Sequence, residues 1–75
     1  MKIKVRAYGA LRQILGRREL EIELPAGATV ADALRAAGLP NRVDVWVLLD
    51  GVRAGREAPL SEGAVLDFFQ PVGGG

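Results

Sequence analysis

The sequence predicts an α+β fold, a two-layer sandwich in which one main helix covers one face of a mixed β-sheet. First, two segments near the N-terminus alternate apolar and charged residues, which is the period of a half-buried strand. Second, one main segment of helical periodicity separates these from further strand-like segments. Because the chain has only 75 residues, these elements should share one small core.

The first two strands are predicted to pair through oppositely charged faces. Residues 2–8 present lysine, arginine and tyrosine on one face, and residues 19–24 present glutamates. The inward-facing residues are Ile3, Val5 and Ala7 in the first strand and Leu20, Ile22 and Leu24 in the second. Antiparallel pairing would set the basic face beside the acidic one. Each opposed pair would then contribute roughly 0.2–1 kcal/mol and disfavour a shifted register.

A short helix is predicted between these strands. Residues 9–16 are too many for a tight hairpin, and Leu11, Ile14 and Leu15 have helical spacing. One or two turns closed by Gly16 would fit this pattern, because glycine readily adopts the left-handed conformation of a helix end.

The main helix is predicted to begin at Thr29. A threonine N-cap followed by Asp32 has the spacing of a capping box. The apolar stripe consists of Val30, Ala33, Leu34 and Ala37. Gly38 supplies the stop and Pro40 prevents continuation, so the helix should span about two and a half turns.

The third strand, residues 43–49, is apolar on both faces, but its flanking aspartates fix its parity. Asp44 and Asp50 share a phase with Trp46 and Leu48, so that face should point away from the core. The inward residues are then Val45, Val47 and Leu49. Asp50-Gly51 is a hairpin-turn signal and predicts a short fourth strand near residues 52–53.

In the last strand, residues 65–69, Asp67 must face outward, which places Phe69 outside with it and Leu66 and Phe68 inside. Trp46, Leu48 and Phe69 would then lie together on the sheet face that no helix covers. A cluster of this kind marks a partner surface. The alternative is a bulge that shifts the parity and puts Trp46 in the core.

Composition excludes several functions. The chain has no cysteine and no histidine, which removes thiolate nucleophiles, zinc sites with these ligands, iron–sulfur clusters and histidine acid–base catalysis. A net charge of +1 argues against nucleic-acid or membrane-surface binding. No stretch approaches the roughly 20 apolar residues of a membrane span, and residues 1–6 lack the apolar core of a signal peptide. We therefore expect a cytoplasmic, non-catalytic protein.

The chain ends in Gly73-Gly74-Gly75, directly behind the last strand. Residues 71–75 are expected to form a flexible tail on a domain of residues 1–70. Glycine has no side chain, so such a tail can thread a narrow channel, and its only reactive group is the α-carboxylate. The alternative is an inert, frayed terminus.

The segments that carry a family resemblance follow one another along the second half of the chain. They are Asp50-Gly51, Pro59-Leu60-Ser61-Glu62-Gly63, residues 65–72 and the terminal glycines. In this order and spacing they resemble the β-grasp, or ubiquitin-like, sulfur carriers. The stretch Tyr8-Gly9-Ala10-Leu11-Arg12 and the sequence Phe68-Phe69-Gln70-Pro71-Val72 look most like the small subunit of molybdopterin synthase.

The resemblance implies a mechanism centred on Gly75. An E1-like enzyme would adenylate its carboxylate using ATP and Mg²⁺, both held by that partner, so that this chain itself binds no cofactor or metal. A sulfur donor would then convert the carboxylate to a thiocarboxylate, which delivers sulfur within the large subunit of molybdopterin synthase. Gly73 and Gly74 would thread the channel and Pro71 would stiffen the exit. The docking residues for both partners would be Trp46, Leu48 and Phe69.

Other functions remain open at this stage. The sulfur could instead serve thiamine thiazole synthesis or tRNA thiolation. The chain could be a ubiquitin-like modifier conjugated through Gly75 to lysines, or an interaction module whose glycine tail is inert.

Overall fold

A computed structural model describes residues 1–39 and 44–70. In these ranges the elements are β1 (Lys2–Ala7), α1 (Ala10–Leu15), β2 (Glu19–Glu23), α2 (Val30–Ala36), β3 (Trp46–Leu49), β4 (Val52–Ala54) and β5 (Val65–Phe69). Their order is the predicted one. The third strand is shorter than expected, since Asp44 and Val45 precede it; Val43 lies outside the described residues.

The strands form one mixed sheet with the order β2-β1-β5-β3-β4. The central pair, β1 and β5, is parallel, and every other pair is antiparallel. This is the β-grasp topology that the sequence predicts. It brings the last strand to the middle of the sheet, between the first and the third.

The core lies between the sheet and α2. The fully or nearly buried sheet residues include Ile3, Val5, Ala7, Val47, Leu66 and Phe68, and α2 contributes Val30, Ala33 and Leu34. These are the inward residues that alternation predicts for the strands and helical spacing predicts for α2. In α1, Leu11 is fully buried but Ile14 is 46% exposed, so the predicted stripe of that helix is wrong at Ile14. Leu15 is half-buried and packs against the core, so α1 contacts the core through Leu11 and Leu15.

The main helix has the predicted cap and a shorter body. The amide of Thr29 donates to Asp32 Oδ2 at 2.8 Å, and the capping box is complete. The helix has seven residues, about two turns, with Ala37 at its C-cap. Gly38 follows with a φ of 88°, as the glycine stop requires. Pro40 lies outside the described residues.

The hairpin between β3 and β4 also anchors β5. Asp50 and Gly51 have φ values of 50° and 87°, the left-handed pair of the predicted turn. The Val65 amide donates to Asp50 Oδ1 at 2.9 Å, and the Asp50 amide donates to the Val65 carbonyl at 2.9 Å. One turn residue thus fixes the start of the neighbouring strand.

The charged faces of β1 and β2 meet as predicted, with Lys2 opposite Glu23, Lys4 opposite Glu21 and Arg6 opposite Glu19. The ion pair across this strand pair is diagonal, however, and joins Lys4 Nζ to Glu19 Oε2 at 3.9 Å. The guanidinium of Arg6 turns the other way, to β5, where it contacts Asp67. Within residues 1–39 and 44–70, neither helix has the length and apolarity to cross a bilayer.

Candidate functional site

The outer face of the sheet carries the predicted apolar residues. Trp46 lies directly opposite Phe69 in the β3–β5 register, while their neighbours Val47 and Phe68 form an inward-facing pair. Trp46 is 45% exposed, so the alternative of a bulge that buries it is wrong. Leu48, two residues along β3, lies on the same outer face and is half-buried.

These side chains line an open groove. Its walls are Trp46, Leu48, Arg53, Phe69 and Gln70, and its volume is about 410 Å³. We call this the apolar groove. It lies across β4, β3 and the end of β5, where the last described residues of the chain are found.

Two other side chains cover parts of this cluster, which lies on the face that is predicted to have no helix over it. The guanidinium of Arg53 lies 4.0 Å from the centroid of the Trp46 ring, a cation–π contact. On the other side, Tyr8 stacks on Phe69 with centroids 4.6 Å apart and planes inclined by 7°. The rings of Trp46 and Phe69 are therefore held in place by side chains next to them in the sheet. The three aromatic rings follow one another across the sheet in the order Tyr8, Phe69, Trp46.

Beneath Tyr8 lies a buried carboxylate. Asp67 faces outward in phase, as predicted, yet it is only 7% exposed because Arg6 and Tyr8 cover it. Arg6 donates to Asp67 from Nε at 2.7 Å and from Nη2 at 3.1 Å, and the Tyr8 hydroxyl donates to Asp67 Oδ1 at 3.0 Å. Asp67, Arg6 and Tyr8 thus form one hydrogen-bonded cluster, with the Tyr8 ring as its link to Phe69.

This cluster shifts two ionisation equilibria. The hydrogen bond to Asp67, with the attraction of its charge, raises the pKa of Arg6. The pKa of Tyr8 is raised as well, first by its hydrogen bond to Asp67, then by burial and by the carboxylate charge, because a phenolate there would face a carboxylate. Both shifts favour the protonated forms that make the observed hydrogen bonds.

Sequence reasoning missed Arg6, Tyr8, Arg53 and Gln70 as parts of this surface. A charged Asp67 within an apolar strand was the available signal, since a buried carboxylate needs donors. Its donors are Arg6 of β1 and Tyr8, which directly follows β1, and only the parallel pairing of β1 with β5 shows which residues they are.

Comparison with known proteins identifies the family. The ThiS family model matches residues 5–75, nearly the whole chain. The chain belongs to the ThiS family. This confirms the resemblance to ubiquitin-like sulfur carriers. No protein of curated function matches the chain.

Solved structures similar to this ThiS-family chain share its fold over their full lengths. Small archaeal modifier protein 1 of Haloferax volcanii is 28% identical, with complete coverage of both chains and a TM-score of 0.85. A protein from Pyrococcus furiosus assigned as molybdopterin converting factor subunit 1 is 30% identical over 96% of this chain and 99% of its own, with a TM-score of 0.82. A chain from the complex of subunits 1 and 2 of the Helicobacter pylori molybdopterin-converting factor is 23% identical over the whole of both chains, with a TM-score of 0.65, and supports the fold alone.

The remaining predicted site residues of this ThiS-family chain, Pro71 and the glycines Gly73, Gly74 and Gly75, lie outside the described residues. Their point of attachment is described: β5 ends at Phe69, and Gln70 lines the apolar groove. Within residues 1–39 and 44–70, no three acidic side chains converge as ligands for a metal ion.

Proposed function

We propose that this chain is a sulfur carrier whose Gly75 carboxylate becomes a thiocarboxylate, and that it acts as the small subunit of molybdopterin synthase. The observation that carries the proposal is the connection of the terminal glycines to the apolar groove through Phe69 and Gln70. A partner that docks on the groove receives the tail at the same place. Membership of the ThiS family and the 30% identity to the Pyrococcus furiosus converting-factor subunit support this function.

The chemistry needs a partner because a carboxylate is a poor electrophile at neutral pH. An oxygen of the Gly75 carboxylate attacks the α-phosphate of ATP, and pyrophosphate leaves. Sulfide then adds to the carbonyl carbon, and AMP leaves with that oxygen. ATP and Mg²⁺ are bound by the E1-like enzyme, so this chain contributes the substrate carboxylate and the docking surface and is not itself an enzyme.

Each predicted site residue has a part in this proposal. Gly73 and Gly74 pass through a channel of the partner that a Cβ atom would obstruct, and Pro71 stiffens the exit of the tail. Trp46, Leu48 and Phe69 dock the E1-like enzyme and, afterwards, the large subunit of the synthase. The 30% identity to the Pyrococcus furiosus converting-factor subunit 1 supports the second partner.

Intact mass spectrometry tests the proposal. The protein is incubated with the E1-like enzyme of its host, ATP, Mg²⁺ and sulfide. We expect a mass gain equal to the difference between sulfur and oxygen. Deletion of Gly75 and the substitution Gly74→Ala should each abolish the gain and leave the melting temperature unchanged. No gain with an enzyme that releases pyrophosphate on another carrier would overturn the sulfur-carrier function.

A second candidate function is protein modification. It is favoured by the 28% identity to small archaeal modifier protein 1 over the whole of both chains. A modifier passes through the same adenylate but ends in an isopeptide bond to a lysine. Cell lysate probed for adducts of the chain separates the two functions, because a carrier that only transfers sulfur forms none.

The acceptor of the sulfur is tested separately. Thiocarboxylated protein is mixed with a molybdopterin synthase large subunit, a thiamine thiazole synthase and a tRNA thiolase, and sulfur transfer is measured for each. Transfer only to the first is expected. Transfer to one of the others would replace the proposed pathway while leaving the carrier function intact.

A further inference from the structure

A second pocket lies on the other side of the Tyr8–Phe69 stack. It is lined by Arg6, Ala7, Tyr8, Arg12, Arg18 and Glu19, with a volume of about 490 Å³, and we call it the arginine pocket. Its residues come from the end of β1 and the residue after it, from α1, and from the start of β2 and the residue before it. Tyr8 belongs to this pocket and stacks on Phe69, which belongs to the apolar groove. The two pockets therefore adjoin at the end of the sheet from which the tail departs.

The arginines of this pocket differ in whether they already have an acidic partner within the chain. Arg6 is bound to Asp67 through two hydrogen bonds. In the part of the chain that the structure describes, no acidic group lies within ion-pair distance of Arg12 or Arg18, and both side chains are exposed. Glu19 is the acidic residue of the lining, and its carboxylate pairs with Lys4, which does not line the pocket. Two guanidinium groups thus face solvent within one concave surface.

Exposed guanidinium groups without an acidic partner are suited to bind carboxylates. Each can bind a carboxylate through two parallel hydrogen bonds. The pocket is open and partly acidic through Glu19, and the net charge of the chain is only +1, so a polyanionic nucleic acid is a poor match. Isolated aspartate or glutamate side chains on a folded partner fit better.

We propose that the arginine pocket docks an acidic segment of the enzyme that activates Gly75, as a second contact beside the apolar groove. This inference rests on the proposed function and adds the chemistry of the partner surface. Burial of Trp46, Leu48 and Phe69 supplies the short-range contact. Arg12 and Arg18 attract the partner from a distance and orient it toward the end of β5, to which the tail is attached.

The arginine pocket and the apolar groove should affect different rate constants of binding. Charges that stay near solvent accelerate encounter more than they slow dissociation, and their effect is screened by salt. Buried apolar contacts govern dissociation instead. Substitution in the arginine pocket should therefore lower the association rate, whereas substitution in the apolar groove should raise the dissociation rate.

Stopped-flow fluorescence measures both rates, because Trp46 is the only tryptophan of the chain and lines the groove. The variants are Arg12→Glu and Arg18→Glu, mixed with the E1-like enzyme in the absence of ATP. The matched control is Arg56→Glu, which changes the net charge equally; Arg56 lies beside the start of α2, where its carbonyl accepts from the Ala31 amide. Circular dichroism checks that all three fold.

At low ionic strength we expect association to slow about tenfold or more for the pocket variants and far less for the control, with dissociation nearly unchanged. In about 0.5 M salt the differences should largely disappear. An equal decrease of the association rate in the two pocket variants and in the control would show a general charge effect and overturn the inference. A change confined to dissociation would overturn it as well.

A measurement without the enzyme keeps the two proposals separable. A hexaglutamate peptide is titrated into the ¹⁵N-labelled protein, and salt-sensitive shifts are expected at Tyr8, Arg12 and Arg18. Shifts that are absent, or that persist in Arg12→Glu/Arg18→Glu protein, overturn the arginine pocket as an acidic docking site. A double-stranded RNA that competes better than the peptide overturns the choice of partner. The mass assay on wild-type protein decides the sulfur-carrier function independently of both results.

Discussion

At the scale of single residues, Asp67 organises the outer surface. A carboxylate that is 7% exposed would be costly without partners, and Arg6 and Tyr8 supply three hydrogen bonds to it. The Tyr8 hydroxyl is fixed in this way, and its ring can therefore support Phe69 at one position. A polar contact on the outer face of the sheet thus orders Phe69, an apolar residue of the groove.

The titration of Tyr8 tests this cluster. Tyr8 is the only tyrosine, so the absorbance of phenolate reports its pKa directly. We expect a pKa above the ordinary value of about 10. Asp67→Asn should lower it, because the charge that opposes phenolate is removed. Glu19→Gln is the matched control and should change it much less, since Glu19 is the weakest influence on Tyr8.

The raised pKa of Tyr8 predicts that the protein loses stability at high pH. The folded protein holds the proton of Tyr8 more tightly than the unfolded chain does. The resulting stabilisation is fully present below about pH 10 and is lost as the pH rises through the pKa of the folded state. A Tyr8 pKa equal to that of free tyrosine would contradict the observed hydrogen bond.

At the scale of elements, β5 has one face in the core and one on the outer surface of the sheet. Phe68 is fully buried in the core, and Phe69, the next residue, lies on the outer face against Tyr8 and opposite Trp46. Strand alternation alone separates the two rings. The strand therefore contributes to the core on one side and lines the apolar groove on the other.

Substitution of the two phenylalanines should separate stability from binding. Phe68→Ala is expected to cost about 3–5 kcal/mol, comparable to the whole stability of so small a domain, and should leave the protein largely unfolded. Phe69→Ala should retain the fold and weaken binding of the E1-like enzyme by roughly 1–3 kcal/mol. Thermal melts and titration calorimetry measure the two effects. Unchanged affinity of folded Phe69→Ala protein would remove Phe69 from the site.

The start of α2 predicts a pH dependence at the acidic end. The pKa of Asp32 is lowered, mainly by the hydrogen bond from the Thr29 amide, with further contributions from the Thr29 hydroxyl and from Arg35. A lowered pKa in the folded state gives stability that is present above the pKa of the unfolded chain, about 3.9, and is lost as the pH falls through the folded value.

Two substitutions test the cap. Thr29→Ala should cost about 1 kcal/mol at pH 7. Asp32→Asn should lower the melting temperature at pH 7 and flatten its decline below about pH 4. Asp44→Asn removes an exposed carboxylate outside the helix and serves as the control. An acid profile of Asp32→Asn protein that is identical to wild type would show that the capping box contributes nothing.

At the scale of the whole molecule, the sheet separates two surfaces. α2 covers one face, and the other presents the apolar groove and the arginine pocket on either side of the Tyr8–Phe69 stack. If the E1-like enzyme and the large synthase subunit both use this face, they must bind in turn. Sequential binding suits a sulfur carrier, because the thiocarboxylated protein has to leave the activating enzyme before it binds the acceptor.

Competition between the partners tests this arrangement. We expect the large subunit to displace the E1-like enzyme from the chain, with full loss of the enzyme's binding at saturation. Size-exclusion chromatography of the three proteins together should give two binary complexes. A stable ternary complex would show that the partners use different surfaces.

Local sequence patterns determined the elements of this protein. Alternation in β1 and β2 depends on chemistry within a few residues, and so do the capping box at Thr29 and the turn at Asp50-Gly51. The parity of β3 was likewise readable from Asp44 and Asp50, and it placed Trp46 and Leu48 correctly on the outer face. The ThiS-family model match agrees with the resemblance seen in the ordered motifs of the second half of the chain.

Tertiary structure alone decided what surrounds those residues. Asp67 and Tyr8 are 59 positions apart, and Arg6 and Asp67 are 61 apart, so no local pattern joins them. The parallel pairing of β1 with β5 brings them together. The β3–β4 hairpin likewise places Arg53 over Trp46. Alternation fixes which face a side chain occupies, because it follows from backbone geometry. Its neighbours on that face depend on strand order, which is set by the packing of the whole chain.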